Sequence, residues 1–290
     1  MKLKMKPIYE FLLWDNCNNN CTFCHQRNNP RIFKTNEQIK ILNATLKFLD
    51  DSAKFESGSH VLLVGGELFC FPDIQYNLEV FFDAIIDKML SGQIDLLYIN
   101  TNLLYENIDL LIYFLNKIQT NKLFSRLKFT TSYDLKYRFK RENDHILFLK
   151  NLKMITDTYK DINVVVNSIL TKYMCNVVQQ HDFDFVYFIE NYKVYINFIP
   201  FIINNPELGA TRETIFKTLK YIDDALLGEY LPRYIANFDL KQEKRLYKYI
   251  NDEFEYCSCE NNKCGHSINF TKYSNNGSCF VCDLKEIFNG

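Results

Sequence analysis

No apolar run in this 290-residue chain approaches the ~20 residues that a bilayer-spanning helix needs. The longest apolar stretches, at 61–64 and 198–203, are fragments of that length, so no transmembrane helix is expected. A secretory signal is missing too, because residues 1–8 carry three lysines and no hydrophobic stretch. The cytoplasm is therefore the expected compartment. Net charge is also scarce, at a formal -1 with a pI near 6.5. That excludes a broad basic field for gripping a polyanion and disfavours nucleic acid as the main partner. The short basic run of Lys136, Arg138, Lys140 and Arg141 reads as a solvated face. Neither an internal repeat nor a low-complexity tract is visible.

Hydrophobic residues make up 47% of the chain, enough for a real core and too many for wholesale disorder. The length fits one large domain with a small appendage, or two modest domains. Apolar segments rich in β-branched and aromatic residues at 8–14, 60–64, 95–99, 127–131, 163–169 and 193–199 read as strands. Helical periodicity occupies 36–49, 74–90, 106–118, 144–158 and 177–191. In the first of these Ile39, Leu42, Leu46 and Leu49 share a face, and Thr35 with Gln38 resembles a capping box. Strands alternating with helices imply an α/β fold, a parallel sheet with right-handed crossovers whose strands are buried on both faces. The number of units predicts a partial (β/α)6 barrel, with ligands gathered at the C-terminal ends of the strands. Residues 1–203 are assigned to this barrel. Residues 204–255 read as a charged helical connector, and 256–290 as a Cys-rich region too small to fold without a metal staple.

Of the ten cysteines, eight fall in two clusters, which in a reducing compartment points to metals or catalysis. The first cluster is Cys17-Asn-Asn-Asn-Cys21-Thr-Phe-Cys24, directly after the first strand. Three thiolates on one loop can hold three irons of a cubane and leave the fourth open. Plant-type ferredoxins use a related C-x4-C-x2-C loop. Zinc, with a fourth ligand such as the adjacent His25, is the alternative. After the second strand comes Gly65-Gly66-Glu67. The two glycines permit close backbone approach to a ligand, and Glu67 offers an acceptor for an ammonium. The third strand ends in Asn100-Thr101-Asn102 and the fourth in Ser132-Tyr133-Asp134, followed by Arg138. The fifth carries Asn167 and the sixth Asn197.

Together these motifs resemble the radical S-adenosylmethionine (SAM) superfamily over residues 8–200. The cysteine spacing, with an aromatic before the third Cys, is similar to that family's cluster loop. Gly65-Gly66-Glu67 resembles its "GGE" turn. Asn100-Thr101-Asn102 resembles its "TNG" region, with Leu103 in place of the glycine, and Ser132-Tyr133-Asp134 resembles the "SxD" pattern of peptide-modifying and sulfatase-maturing members. The resemblance implies a [4Fe–4S] cluster on Cys17, Cys21 and Cys24 whose open iron is chelated by SAM. Phe23 would lie by the adenine. Gly65, Gly66 and Glu67 would receive the SAM amino group, and Asn102, Ser132, Asp134 and Asn167 would complete the SAM site. Leu68 stands where the family often has proline, which is expected to change the turn without loss of SAM binding.

The activity implied is reductive cleavage of SAM to methionine and a 5′-deoxyadenosyl radical. That radical abstracts hydrogen from a peptide or protein side chain or from a small metabolite, giving an oxidation, a crosslink or an epimerisation. The electron would come from a donor such as flavodoxin or ferredoxin. The alternatives are a zinc-stapled binding protein and a ferredoxin-like electron carrier; the Gly-Gly-Glu turn and the long βα repeat speak against the second. Only 16 residues precede Cys17, which leaves no N-terminal peptide-recognition domain and suggests a small metabolite or recognition by a separate protein.

The second cluster is Cys257-Ser-Cys259, Cys264 and Cys279-Phe-Val-Cys282, with Asn276-Gly277 as a hairpin signal between 268–273 and 280–281. This block resembles the SPASM or twitch regions of the same superfamily. It implies a second [4Fe–4S] cluster on four of the five: Cys264, Cys279 and Cys282 with Cys257 or Cys259. A structural zinc is the rival. The two remaining cysteines, Cys70 and Cys175, read as small buried hydrophobes. Cys175, just past the fifth strand, is also a candidate hydrogen-atom donor to a product radical.

Overall fold

The computed structural model of the chain describes residues 7–24, 32–141, 143–200, 208–211, 213–215, 217–218, 221–222 and 267–269. Cys257, Cys259, Cys264, Cys279 and Cys282, with the hairpin expected at Asn276-Gly277, lie outside the described residues.

The six expected strands are present: β1 (Ile8–Leu12), β2 (Ser59–Val64), β3 (Ile94–Asn100), β4 (Leu127–Tyr133), β5 (Val164–Leu170) and β6 (Tyr195–Pro200). Between them run α1 (Thr35–Asp50), α2 (Gln75–Leu90), α3 (Asp109–Thr120), α4 (Asp144–Thr158), α5 (Lys172–Gln179) and α6 (Phe185–Tyr192). A seventh strand, β7 (Ser267–Asn269), pairs in parallel with β1, Glu10 opposite Ser267 and Leu12 opposite Asn269. Sequence reading had given that segment only to a hairpin arm. The sheet order is β6-β5-β4-β3-β2-β1-β7. Strands one to six follow the order of the chain with no reversal. That is the succession of a partial (β/α) barrel; a doubly wound sheet reverses at a switch point. The fold is therefore α/β with a parallel sheet of the expected kind.

The chain divides into two compact units. The first holds residues 1–130, 141–163 and 264–277, and the second 131–140, 164–263 and 278–290. In the first, parallel pairing sets Ile8 opposite His60, Leu62 opposite Tyr98 and Tyr98 opposite Lys128. Val61, Leu63, Leu97, Ile99, Leu127 and Phe129 are buried, and so are Phe69, Phe82 and Phe114, whose rings meet at centroid separations of 4.8–6.1 Å. In the second, β5 and β6 pair from Val165 opposite Tyr195 to Leu170 opposite Pro200. Tyr133, Phe183 and Phe188 pack as an aromatic trio there.

The expectation that the strands are buried on both faces is corrected. Burial alternates along β2, β4 and β5, with every second residue fully covered and its neighbours partly exposed. The less covered positions include His60, Ser132 and Asn167, polar groups that a two-sided apolar packing would strand without water.

Three local expectations also change. Thr35 is not the N-cap of α1; Lys34 is, and Glu37 Oε2 accepts from its backbone N–H at 2.8 Å. A lysine side chain has no acceptor to return the bond, so only half of a capping box exists. The single helix expected over 177–191 is two helices. Thr171 caps α5 by accepting from Met174 N, Asp184 caps α6 by accepting from Tyr187 N, and His181 between them is left-handed at φ 62°. The helix expected from 106 starts at Asp109, after Asn107 Oδ1 accepts from the Asp109 N–H at 2.8 Å. Among the described residues no helix is long and apolar enough to cross a membrane.

Candidate functional site

The β1–β2 pairing continues beyond the strand ends. Leu13 N–H donates to Val64 O at 3.0 Å, Gly66 N–H to Trp14 O at 2.5 Å and Glu67 N–H to Asn16 O at 2.9 Å. The Trp14 indole donates to Glu67 O at 3.3 Å. The chain entering the cysteine loop is thus laid along the Gly-Gly-Glu turn. A Cβ on Gly65 would stand 2.2 Å from Trp14 O, at φ 139°, and one on Gly66 would stand 1.8 Å from Asn16 O. Part of what these glycines admit is therefore the chain's own backbone.

Glu67 is buried at 1% exposure. Its Oε1 accepts from Leu68 N–H at 3.0 Å, Phe69 N–H at 3.2 Å and the Thr101 hydroxyl at 2.9 Å; Oε2 accepts from Asn102 N–H at 2.5 Å. One carboxylate thereby ties the end of β2 to the end of β3. The Thr101 hydroxyl meets Tyr105 OH at 2.9 Å, and burial, with the Glu67 charge, pushes the Tyr105 phenol well above its usual range. Leu103 keeps the left-handed backbone a glycine would take freely, at φ 56°. Its side chain is fully buried, which offsets that strain.

Asparagines fix the cysteine loop itself. The Asn16 amide donates to Phe33 O at 2.9 Å and accepts from Phe33 N–H at 2.8 Å, closing the loop at both ends. Asn18 Nδ2 donates to Leu104 O at 2.5 Å, and its Oδ1 accepts from Asn102 Nδ2 at 2.6 Å. Asn102 Oδ1 accepts from Leu104 N–H at 2.7 Å. The sequence motifs do not single out Asn16, Asn18 or Asn19; the asparagines on either side of Cys17 are the available signal.

Cys17 is exposed, while Cys21, Phe23 and Cys24 are half-buried. Although Cys17 is exposed by area, protein mass around its sulfur pushes the thiol up to about 11, and Glu67 and Cys21 act in the same direction. Burial, with the charges of Glu67 and Cys17, raises the Cys70 thiol as well. Cys24 N–H donates to Cys21 O at 3.1 Å, the tight turn that a C-x2-C pair needs. Among the described residues no three His, Cys, Asp or Glu side chains gather around a single ion position. The loop does offer three soft thiol donors and N–H groups aimed at sulfur: Asn19 Nδ2 to Cys21 Sγ at 3.2 Å and Asn102 Nδ2 to Cys17 Sγ at 3.5 Å. That donor set fits a thiolate-held cluster.

Ser132, Asp134 and Asn167 belong to the second unit. Ser132 is half-buried, and Asn167 Oδ1 accepts from its rung partner Asn197 Nδ2 at 3.1 Å. Asp134 is fully buried. Its Oδ1 accepts from Lys136 N–H at 2.9 Å and Tyr137 N–H at 2.5 Å, and its Oδ2 from Thr171 Oγ1 at 3.2 Å. It organises its own loop and the start of α5, a duty the "SxD" resemblance did not convey.

Burial outweighs those donors and the nearby Arg138, and raises the Asp134 carboxyl above its usual range. A folded pKa above the unfolded one means that the folded state holds this proton more tightly between the two values. Stability from this group therefore falls as pH rises from about 4 through the raised value. Asp134→Asn is expected to remove that decline, and Asp134→Ala to cost about 2–3 kcal/mol from three orphaned donors. Urea midpoints measured across this pH range check both; a constant offset between wild type and the Asn variant contradicts the assignment.

Cys175, read as a small buried hydrophobe and also as a candidate hydrogen-atom donor, is fully buried on α5 and donates to Leu170 O at 3.8 Å. Burial pushes its thiol up to about 11, against a hydrogen bond with Thr218. This is the setting of a packed small side chain. Cys175→Ala is expected to lose about 1 kcal/mol of stability, read by thermal unfolding.

No protein-family model matches the sequence, and no curated protein is significantly similar to it. Among solved structures the chain is similar to "native anSMEcpe with bound AdoMet", an anaerobic sulfatase-maturating enzyme carrying S-adenosylmethionine. The match has a TM-score of 0.58 and 16% sequence identity, over 96% of this chain and 75% of that one. The chain thus shares its fold with a SAM-bound enzyme.

Proposed function

We propose that this chain is a radical SAM enzyme that holds a [4Fe–4S] cluster on Cys17, Cys21 and Cys24. The observation that carries the reading is the placement of one cysteine loop against Gly65-Gly66-Glu67 and Asn102 at the strand ends of a single unit. The shared fold with a SAM-bound enzyme supports it. Held by Cys17, Cys21 and Cys24, a cluster with SAM would supply one-electron chemistry at a sulfonium C–S bond and hydrogen abstraction from an unactivated C–H bond.

The chain's own residues position these groups and keep out water. Glu67, whose oxygens are taken by four of the chain's own donors, would favour the ammonium of SAM through its charge, with Gly65 and Gly66 bringing the backbone of the turn to it. Phe23 offers a ring to the adenine. Asn102 offers a hydrogen bond to the remaining polar groups of SAM; Ser132, Asp134 and Asn167 stand as further candidates for SAM within the second unit, where Asp134 also holds its loop. The substrate is a peptide or protein side chain or a small metabolite, and the protein works in the cytoplasm with a flavodoxin- or ferredoxin-type donor. Four of Cys257, Cys259, Cys264, Cys279 and Cys282 hold a second [4Fe–4S] cluster.

Anaerobic reconstitution of the whole chain tests the metal content. Iron and sulfide for two cubanes, with a broad brown absorption near ~400 nm, are expected. Zinc bound instead, with iron refused, would leave a metal-stapled binding protein.

A further inference from the structure

Two side-chain amides point at sulfur in the cysteine loop. Asn19 Nδ2 donates to Cys21 Sγ at 3.2 Å, and Asn102 Nδ2 to Cys17 Sγ at 3.5 Å. The Asn19 backbone N–H also reaches Cys17 Sγ, at 3.4 Å. We propose that Asn19 and Asn102 set the reduction potential of the cluster held by this loop, through N–H···S bonds from their side-chain amides to Cys21 and Cys17. This rests on the cluster reading given under the proposed function.

One-electron reduction adds negative charge to a cluster and to the thiolates that hold it. An N–H dipole aimed at a ligand sulfur stabilises that added charge, so each such bond raises the potential. The two donors are held in place by other bonds. Asn102 is fixed by its N–H on Glu67 and its Oδ1 on Leu104 N–H. Asn19 Oδ1 accepts from Asn20 N–H at 2.9 Å, which leaves Nδ2 facing Cys21. Asn20 is the internal comparison: it is the next asparagine of the same loop, and among the described residues its one hydrogen bond is that backbone donation to Asn19.

The competing role is purely structural, with the asparagines shaping the loop and leaving its electronics alone. A potential separates the two, because loop shaping acts on iron content and not on the midpoint of iron-replete protein. The full chain and its Asn19→Ala, Asn19→Asp, Asn102→Ala and Asn20→Ala variants would be reconstituted anaerobically and assayed for iron. Each would then be titrated potentiometrically with dithionite, following the reduced-cluster EPR signal that changes on addition of SAM.

Asn19→Ala is expected to lower the equilibrium constant for reduction about tenfold, a midpoint ~59 mV more negative for one electron. Asn19→Asp should move further in the same direction, since a carboxylate then faces the thiolate. Asn102→Ala should follow Asn19→Ala, and Asn20→Ala should coincide with wild type. Iron-replete Asn19→Ala at the wild-type midpoint overturns the inference. If Asn102→Ala fails to retain iron, the two Asn19 variants decide. A wild-type chain that takes up no iron removes the proposed function and this inference with it, an outcome visible before any titration.

Discussion

Gly66→Ala is expected to cost about 3 kcal/mol or more of stability and to abolish iron uptake by the first cysteine loop. The new Cβ would stand 1.8 Å from Asn16 O and 2.5 Å from Asn16 C, against backbone that cannot rotate away. Relief requires the chain after β1 to move off the turn after β2. That would break the Gly66–Trp14 and Glu67–Asn16 hydrogen bonds, the two rungs that deliver Cys17 to the site. Gly92→Ala is the comparison. Its Cβ meets nothing within 4 Å, and only its φ of 77° opposes the change. That substitution should cost about 1–2 kcal/mol and leave iron uptake intact. Urea midpoints and iron content on both variants check the pair. Equal losses would mean that the close approach at Gly66 does not set the geometry of the loop.

Glu67→Ala is expected to cost about 3–5 kcal/mol, since it strips a buried acceptor from four donors at once. Leu68 N–H, Phe69 N–H, the Thr101 hydroxyl and Asn102 N–H would be left in a space that excludes water. Glu67→Gln separates the charge from the acceptor count. An amide oxygen can keep the three donors now on Oε1, but its NH2 would then face the Asn102 N–H, donor against donor. About 1–3 kcal/mol should be lost, with Asn102 and its bond to Cys17 loosened. Thermal unfolding gives the stability change, and amide hydrogen exchange at Asn102 shows whether the loss is local. Unchanged protection at Asn102 in the Gln variant would contradict the clamp.

The sheet was legible because runs of apolar, β-branched and aromatic residues mark strands, and each of β1 to β6 falls where such a segment stood. At the strand ends the motif residues reach the cysteine loop through Glu67 N–H on Asn16 O and Asn102 Nδ2 on Cys17 Sγ. What sequence could not show was what the special residues face. A glycine pair signals close approach but not by what, and the neighbour proved to be Trp14–Asn16 backbone. An aspartate at a strand end looks the same whether it meets a ligand or, as Asp134 does, its own loop. The break between α5 and α6 was hidden because the left-handed residue is His181, not a glycine. The duties of the asparagines around Cys17 were hidden because their hydrogen bonds to Leu104 and Phe33 join segments far apart in sequence.

The most direct test of the central claim is SAM cleavage by the anaerobically reconstituted chain with dithionite, read as 5′-deoxyadenosine by chromatography. The account predicts nucleoside and methionine in equal amounts from wild type, and neither from the Cys17/Cys21/Cys24→Ala triple variant. Iron-loaded wild-type protein that leaves SAM intact, or a triple variant that still cleaves it, would contradict the assignment of this loop as the catalytic centre.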